Sequence, residues 1–263
     1  MNRCCYAVQL QLLIFAVIML HNTQGIVLKT FKYSETSVIA RVYTQKFGVQ
    51  TYIINSVHTK QARTKPALLQ PLTILDMVVY HREHKTMNHV KELRPAYTFT
   101  SLPYDVVKSG LALFISEILY KTLKEETANN QQFEFLYHFI TLLDQNPNLS
   151  TTANLHLWFM VNWSRFLGFY PQNNFFYTDR PYFDLTEGAF CHRQSTHSHF
   201  IALPLSQLLF RLMQLGAEQT AQLELNKLQR RQLLQYLLLY YRLHIDGFEE
   251  VKSLHVLEEI FEG

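Results

Sequence analysis

Cys191, His192, His197 and His199 form the only local cluster of metal-type donors in the chain, and tetrahedral zinc accepts this mix of thiolate and imidazole. The spacing opposes a site. Cys191 and His192 are neighbours that would both have to turn toward one ion, and the remaining cysteines, Cys4 and Cys5, supply no second knuckle. Solvated loop histidines and a half-buried cysteine are expected instead. His81 and His84 (HREH) stand at a strand end three residues apart, which puts them on opposite faces. Glu35, Asp76 and Glu83 show no pairing suited to general acid and base work. There is no phosphate-binding glycine loop, dinucleotide fingerprint, His-Glu-x-x-His helix or Gly-x-Ser-x-Gly elbow. The chain reads as non-enzymatic, with no metal or other cofactor. The sequons at Asn148 and Asn162 read as chance, Asn162 falling inside an amphipathic helical pattern.

The chemistry that does stand out is phosphate binding. Between Gly25 and Gln70, Lys29, Lys32, Arg41, Lys46, Lys60, Arg63 and Lys65 face a single acid, Glu35. A nucleic acid suits such a segment best, because its regularly spaced phosphates release counterions when Lys and Arg neutralise them; a solvated charged face is the alternative. If Val38, Ala40 and Val42 point into a core, Ile39, Arg41 and Tyr43 point out. The same phase sets Lys29 beside Phe31 on an outer surface and turns Tyr52 outward on the next strand. Rings stack bases and cations hold phosphates, so the candidate interface is Lys29, Lys32, Arg41, Tyr43, Lys46, Tyr52, Lys60, Arg63 and Lys65. Barrel capping or packing on the next domain is the other use open to these aromatics.

The elements that must carry these residues follow from periodicity. Apolar alternation predicts strands over 25–31, 37–44, 49–56, 72–81 and 87–94, enough for a small five-stranded barrel. Gly48 marks the turn into the third strand, and His58 to Pro66 (HTKQARTKP) reads as a basic flexible loop. Beyond Pro103 the period lengthens to about 3.6. Leu111, Phe114, Ile115, Ile118 and Leu119 share one helical face, and Phe133, Leu136, Tyr137 and Ile140 another. Further helices are expected over 151–167, 204–215, 227–245 and 253–261, with Pro204 in a first turn and Gly247 as a stop. Between Gly168 and Leu203 the rhythm breaks into a loop and a hairpin that turns at Thr186, Glu187 and Gly188. The fold class is therefore α+β: a barrel domain over 19–100 and a helical domain over 101–263 with an insert at about 168–203.

The 263 residues are 48% hydrophobic and 17% charged, which excludes a disordered chain and suits two domains. A net charge of +3 is modest, so its distribution matters more than its total. The tail is acidic, with Asp246, Glu249, Glu250, Glu258, Glu259 and Glu262 opposed only by Lys252. Three cysteines without a disulfide pattern suit a reducing compartment. Met1, Arg3 and the apolar run from Ala7 to Leu20 resemble a signal peptide, but no small-x-small cleavage site follows. The run is also short of the roughly 20 apolar residues of a membrane span. A translation start at Met19 is the reading taken here, with a signal or anchor segment and a packed N-terminal helix as the alternatives.

Several stretches together resemble one family. GIVLKTFKYSETSVIARVYTQKFG, LLQPLTILDMVVY and KELRPAY are similar to the opening domain of the bacterial recombination mediator RecO. ISEILYKTL, FEFLYHFITLLD, FMVNWSRFLGFYPQ, YFDLTEGAF and SLHVLEEIF resemble that family's helical domain in order and spacing. The resemblance implies an OB-fold barrel followed by an all-helical body. It implies binding of single- and double-stranded DNA, strand annealing, and loading of RecA in gap repair together with RecR and single-stranded-DNA-binding protein. It implies no small-molecule substrate, no nucleotide, no covalent chemistry and no membrane, and a cytoplasmic, nucleoid-associated bacterial protein. Carried over, Lys29, Lys32, Arg41 and Lys46, with Lys60, Arg63 and Lys65 on the loop, become phosphate contacts. Many RecO proteins hold zinc through four cysteines after the Leu-Gly-Phe segment; here Asn173 to Thr178 supplies no Cys-x-x-Cys and Cys191 stands alone. Packing of Phe175, Phe176, Tyr182 and Phe183 is expected to replace what that ion would organise. A protein-interaction scaffold that does not touch DNA, and a secreted or anchored protein, are the competing functional classes.

Overall fold

A computed structural model describes residues 19–55, 57, 65–82, 85–124, 127–176, 179–193 and 197–262. The readings of residues 1–18 and the loop cations Lys60 and Arg63 lie outside these residues. The chain divides into two compact units: one runs to Thr98 and adds Leu123–Phe133, and the other comprises Phe99–Thr122 and Glu134–Gly263.

Strands β1 (Met19–Lys32), β2 (Val38–Thr44), β3 (Gly48–Ile54), β4 (Ile74–His81) and β5 (Asn88–Pro95) close into a barrel in the order β1-β2-β3-β5-β4. All pairings are antiparallel except β3 with β5, which run parallel where Tyr52 meets Asn88 and Ile53 meets His89. β1 starts six residues before its expected beginning, because His21, Asn22, Thr23 and Gln24 hide a strand under polar side chains. Met19 to Ile26 pair with β4, Gly25 to Lys32 pair with β2, and Gly25 itself is opposite both Leu75 and Thr44. A Cβ on Gly25 would stand 2.6 Å from Val42 Cγ1 and 2.8 Å from Met77 Sδ, so glycine is what allows three strands to meet there. Gly48, at φ 62°, makes the expected left-handed turn into β3.

Val27, Val38, Ala40, Val42, Ile54, Leu75, Met77 and Val79 fill the barrel, so the inward phase of β2 is as expected. Tyr52 belongs to this core and is fully buried, which corrects the outward placement read from the sequence. The reason is register: Tyr52 lies directly opposite Ala40, and directly opposed residues project to one face. The loop Gln45–Lys46–Phe47 sets that register, and its length cannot be read from alternation alone. Tyr43 does point out of the barrel but is only 1% exposed. Its hydroxyl donates to Gln132 Oε1 at 2.7 Å, and its ring lies 6.0 Å from that of Phe133, both from the Leu123–Phe133 segment that completes this unit. Neither tyrosine offers a ring for base stacking.

The helices are α1 (Val106–Thr122), α2 (Asn130–Gln145), α3 (Leu149–Phe166), α4 (Leu205–Gln214), α5 (Lys227–His244) and α6 (Ser253–Glu262). Trp163, fully buried, donates its indole N–H to Thr122 Oγ1 at 2.9 Å. Asn148 of the first sequon caps α3 by accepting from the backbone N–H groups of Ser150 and Thr151, while Asn162 turns back to the carbonyl of Trp158. The insert holds strands β6 (Tyr182–Asp184), β7 (Ala189–Cys191) and β8 (Phe200–Ile201) in the order β7-β6-β8.

Two carboxylates act as fasteners in the helical unit. Asp144, 1% exposed, accepts from the backbone N–H groups of Thr100, Ser101 and Leu102 at 2.9, 2.9 and 2.7 Å and from the Thr100 hydroxyl at 2.9 Å. Burial alone would raise its pKa, but these donors outweigh it and bring the carboxyl down to about 2. Glu117 accepts from the N–H groups of Lys252 and Ser253 and from the Ser253 hydroxyl, pinning the start of α6. Burial raises its pKa too, and the Ser253 and Lys252 donors with the Lys121 charge turn the net shift downward.

Three outcomes follow from this packing. Gly25→Ala is expected to cost about 1–3 kcal/mol in urea unfolding, since the new methyl has to displace core atoms of two strands. The Tyr52 hydroxyl has no hydrogen-bond partner among the described residues. Tyr52→Phe should therefore be neutral or stabilising by up to about 1 kcal/mol, whereas Tyr52→Ala should lose about 3–5 kcal/mol; both are read from thermal melts. Asp144 is more acidic folded than unfolded, so its contribution is complete above the unfolded value of 3.8 and fades as the pH falls toward about 2. Asp144→Asn should cost about 2 kcal/mol at neutral pH and flatten the stability loss across that acid window in denaturation series.

Candidate nucleic-acid interface

Several basic side chains of the barrel lie around the C-terminus of β3. Ile54 pairs with Val38 at the start of β2, and the Ser37 hydroxyl donates to Asn55 Oδ1 at 3.1 Å, which holds the β1–β2 turn against this point. On the other side Tyr52 and Ile53 pair with Asn88 and His89, which brings the β4–β5 turn alongside. Asn88 is 2% exposed and fixes that turn: its Oδ1 accepts the Arg82 backbone N–H at 3.1 Å and its Nδ2 donates to Gln50 Oε1 at 3.3 Å.

On the β1 side, Lys29 and Lys32 are both exposed. Lys29 and Phe31 share the outer face, with the ammonium 5.3 Å from the ring centroid and Phe31 40% exposed. Tyr33, just past the strand, is also exposed. On the β4–β5 side, Arg82, Lys85 and His89 line a cleft of about 410 Å³ with Asn55, Tyr80 and Met87. Among the described residues, Arg82, Lys85 and His89 make no ion pair. Sequence reasoning missed them because His81 and His84 were weighed only as a metal pair, while the run Arg82 to His89 also carries Arg82, Lys85 and His89. His81 instead stacks on Phe47, with centroids 3.9 Å apart and planes 14° from parallel, and His84 lies outside the described residues.

The remaining expected residues are dispersed. Arg41 sits across from Lys29, but it is half-buried and its guanidinium donates to the Leu123 carbonyl at 3.5 Å. Lys46 is exposed at the β2–β3 turn, about 20 Å along β2 from Val38 at the usual rise of a strand. There it shares a polar cleft of about 520 Å³ with Gln24, Asp76 and Arg94. Asp76 takes up both Gln24 and Arg94, at 3.1 and 3.3 Å, so that surface carries mixed charge. Lys65 is exposed just before the short 3-10 turn Pro66–Leu69.

Among the described residues no group of three or more His, Cys, Asp and Glu side chains is placed to hold a metal ion. Cys191 Sγ lies 3.2 Å from the Arg193 carbonyl, His192 Nδ1 contacts Asp179 at 2.7 Å, and His197 Nε2 contacts Asp184 at 3.3 Å. Around them Phe175 stacks on Phe210 with centroids 4.8 Å apart, and Phe183 packs on Phe190 at 4.9 Å. Phe176 departs from expectation: it is 66% exposed, because its backbone bridge to Arg180 turns it away from that cluster. No helix among the described residues is long and apolar enough to cross a membrane.

Comparison with known proteins agrees with this architecture. Residues 19–99 match the family described as "Recombination protein O N terminal", and residues 103–255 match "Recombination protein O C terminal". The DNA repair protein RecO of Bacteroides fragilis is 36% identical over 245 residues, spanning 93% of this chain and all of that protein. The RecO proteins of Phocaeicola vulgatus and Flavobacterium psychrophilum are 34% and 35% identical, over 92% and 91% of this chain and 100% and 98% of theirs. With both halves matched in order, and a five-stranded OB-fold barrel leading into a helical region, the chain belongs to the RecO family of DNA repair proteins.

Proposed function

We propose that this protein is a non-catalytic DNA-binding recombination mediator. It holds DNA on the barrel end formed by the β1–β2 and β4–β5 turns and anneals complementary strands. With RecR it helps load RecA onto DNA coated with single-stranded-DNA-binding protein. The observation that carries this reading is the placement of Lys29, Phe31 and Lys32 on one flank of the β3 terminus and of Arg82, Lys85 and His89 on the other. Phosphates need accessible cations and bases need exposed rings, and this end of the barrel supplies both. On this reading the helical body docks the protein partners, the work is done in the bacterial cytoplasm on nucleoid DNA, and no metal is required.

The test is annealing of complementary oligonucleotides coated with single-stranded-DNA-binding protein, at low and moderate salt. Salt-sensitive acceleration is expected; absence of both binding and annealing at low salt would favour a scaffold that works through proteins alone. At the residue level, Lys29→Ala with Lys32→Ala and Arg82→Ala should weaken single-strand binding and reduce the salt slope by about 0.7 per lost contact, or about 2 in all. Lys46→Ala should change the slope by less than any one of these. An unaltered slope in the triple variant would remove this surface from consideration.

A further inference from the structure

The cleft beside the β4–β5 turn has a lining that phosphate binding does not explain. Inward positions on β4 are Leu75, Met77 and Val79, so Tyr80 faces out, and its strand partners on either side are Leu20 on β1 and His89 on β5. An aliphatic side chain, a phenol ring and an imidazole thus stand side by side on the outer surface. Met87, which lines the cleft together with Arg82, Lys85 and Asn55, is 38% exposed, and Leu20, beside Tyr80 on β1, is 47% exposed. At about 410 Å³ the cleft is within the range of small-ligand sites.

Resting on the DNA-binding reading above, we propose that this cleft is a nucleotide subsite that takes one unstacked base of single-stranded DNA. The base lies on the Tyr80 ring against Met87, and the flanking phosphates rest on Arg82 and Lys85. Asn55 and His89 stand at the rim, where an amide and an imidazole can reach the edge of a base. A base within a duplex is stacked and paired and has no free face to offer, so the subsite discriminates in favour of single strands, while Lys29 and Lys32 serve either form. The buried amide of Asn88 makes the discrimination possible by holding the Arg82 backbone beside the Tyr80 row.

The experiment compares three labelled probes by fluorescence anisotropy on the full chain: an oligothymidylate, an abasic strand of the same length, and a duplex of that length. The unsubstituted protein should bind the oligothymidylate about tenfold more tightly than the abasic strand, the usual scale of one or two base–aromatic stacks. Tyr80→Ala should erase that difference and change duplex affinity by less than about twofold, and Tyr80→Phe should preserve it. Equal binding of the thymidylate and abasic strands by the unsubstituted protein overturns the subsite without reference to any variant. So does a Tyr80→Ala loss shared equally by all three probes, or a difference that survives Tyr80→Ala. An intact thymidylate preference with no effect of the Lys29, Lys32 and Arg82 substitutions would instead overturn the phosphate path, the Arg82 contact of the subsite included, while leaving the stacking of a base on Tyr80 standing. Failure to bind any probe overturns both, and preferential displacement of the thymidylate by an acidic peptide would assign the cleft to a protein partner.

Discussion

The barrel depends on one strand serving two neighbours. β1 is paired with β4 along its first half and with β2 along its second, and the handover occurs at Gly25, where Val42 and Met77 close in on the space a side chain would need. Two consequences follow from that single close approach. The sheet can close on itself, so no edge strand is left to pair with other chains, and β3 is brought against the start of β5 in the barrel's only parallel contact. That contact sets the β4–β5 turn next to the end of β3, which already borders the β1–β2 turn. The gathering of Lys29, Lys32, Arg82 and Lys85 around one point, with His89 beside them, is therefore a product of closure. In an open sheet of the same strands, the cations of β1 and those of the β4–β5 turn would lie at unrelated places.

Other surfaces of the barrel are committed elsewhere. The outer face of β2 is covered by Leu123–Phe133, which buries Tyr43 and gives Arg41 a carbonyl to bond. The surface around Lys46 carries Asp76, already engaged by Arg94 and Gln24. An anion approaching there meets carboxylate repulsion together with the lysine's attraction, and at physiological ionic strength, where fields fade over about 8 Å, that local balance decides the outcome. At the β3 terminus Lys29, Lys32, Arg82 and Lys85 coincide with the exposed rings of Phe31 and Tyr33, and Glu35 of the β1–β2 turn is the acid that accompanies them.

Much of this was legible in the sequence, for identifiable reasons. β-branched and aromatic alternation located all five barrel strands, and the 3.6-residue period located the six helices, because in both cases one face must be apolar for the element to pack. Residue phase was legible within a strand: Val38, Ala40 and Val42 do point inward. It failed across a turn, where the three-residue loop 45–47 reset the register and moved Tyr52 from the outer surface to the core. The first residues of β1 were missed because pairing with β4, and not side-chain character, makes Asn22 to Gln24 a strand. Coverage of Tyr43 by residues some ninety positions later in the chain is a tertiary fact with no local signature. The candidate site was half legible: charge density pointed to Lys29 and Lys32, but the contribution of Arg82, Lys85 and His89 required knowing which strand closes the barrel.

The fate of other charged groups gives the exposed cations their meaning. Where the fold uses a buried or half-buried charge, it surrounds that charge with partners. Lys108, 5% exposed, donates to the Ser101 hydroxyl and the Asp144 carbonyl at 2.6 and 2.7 Å. Arg230 donates to Asn154 Oδ1 and the Leu225 carbonyl, and Asp144 gathers three backbone N–H groups. Removing a charge from water costs several kcal/mol unless such partners replace the lost hydration, so each of these arrangements is explained by stability alone. Arg82, Lys85 and His89 repay no such cost. Lys85 and His89 are exposed and Arg82 is half-buried, beside an outward tyrosine and an exposed methionine, where a folding argument would be content with almost any polar residue. A surface whose composition the fold does not require, set on a backbone turn that a buried asparagine holds in place, is best explained by what binds to it.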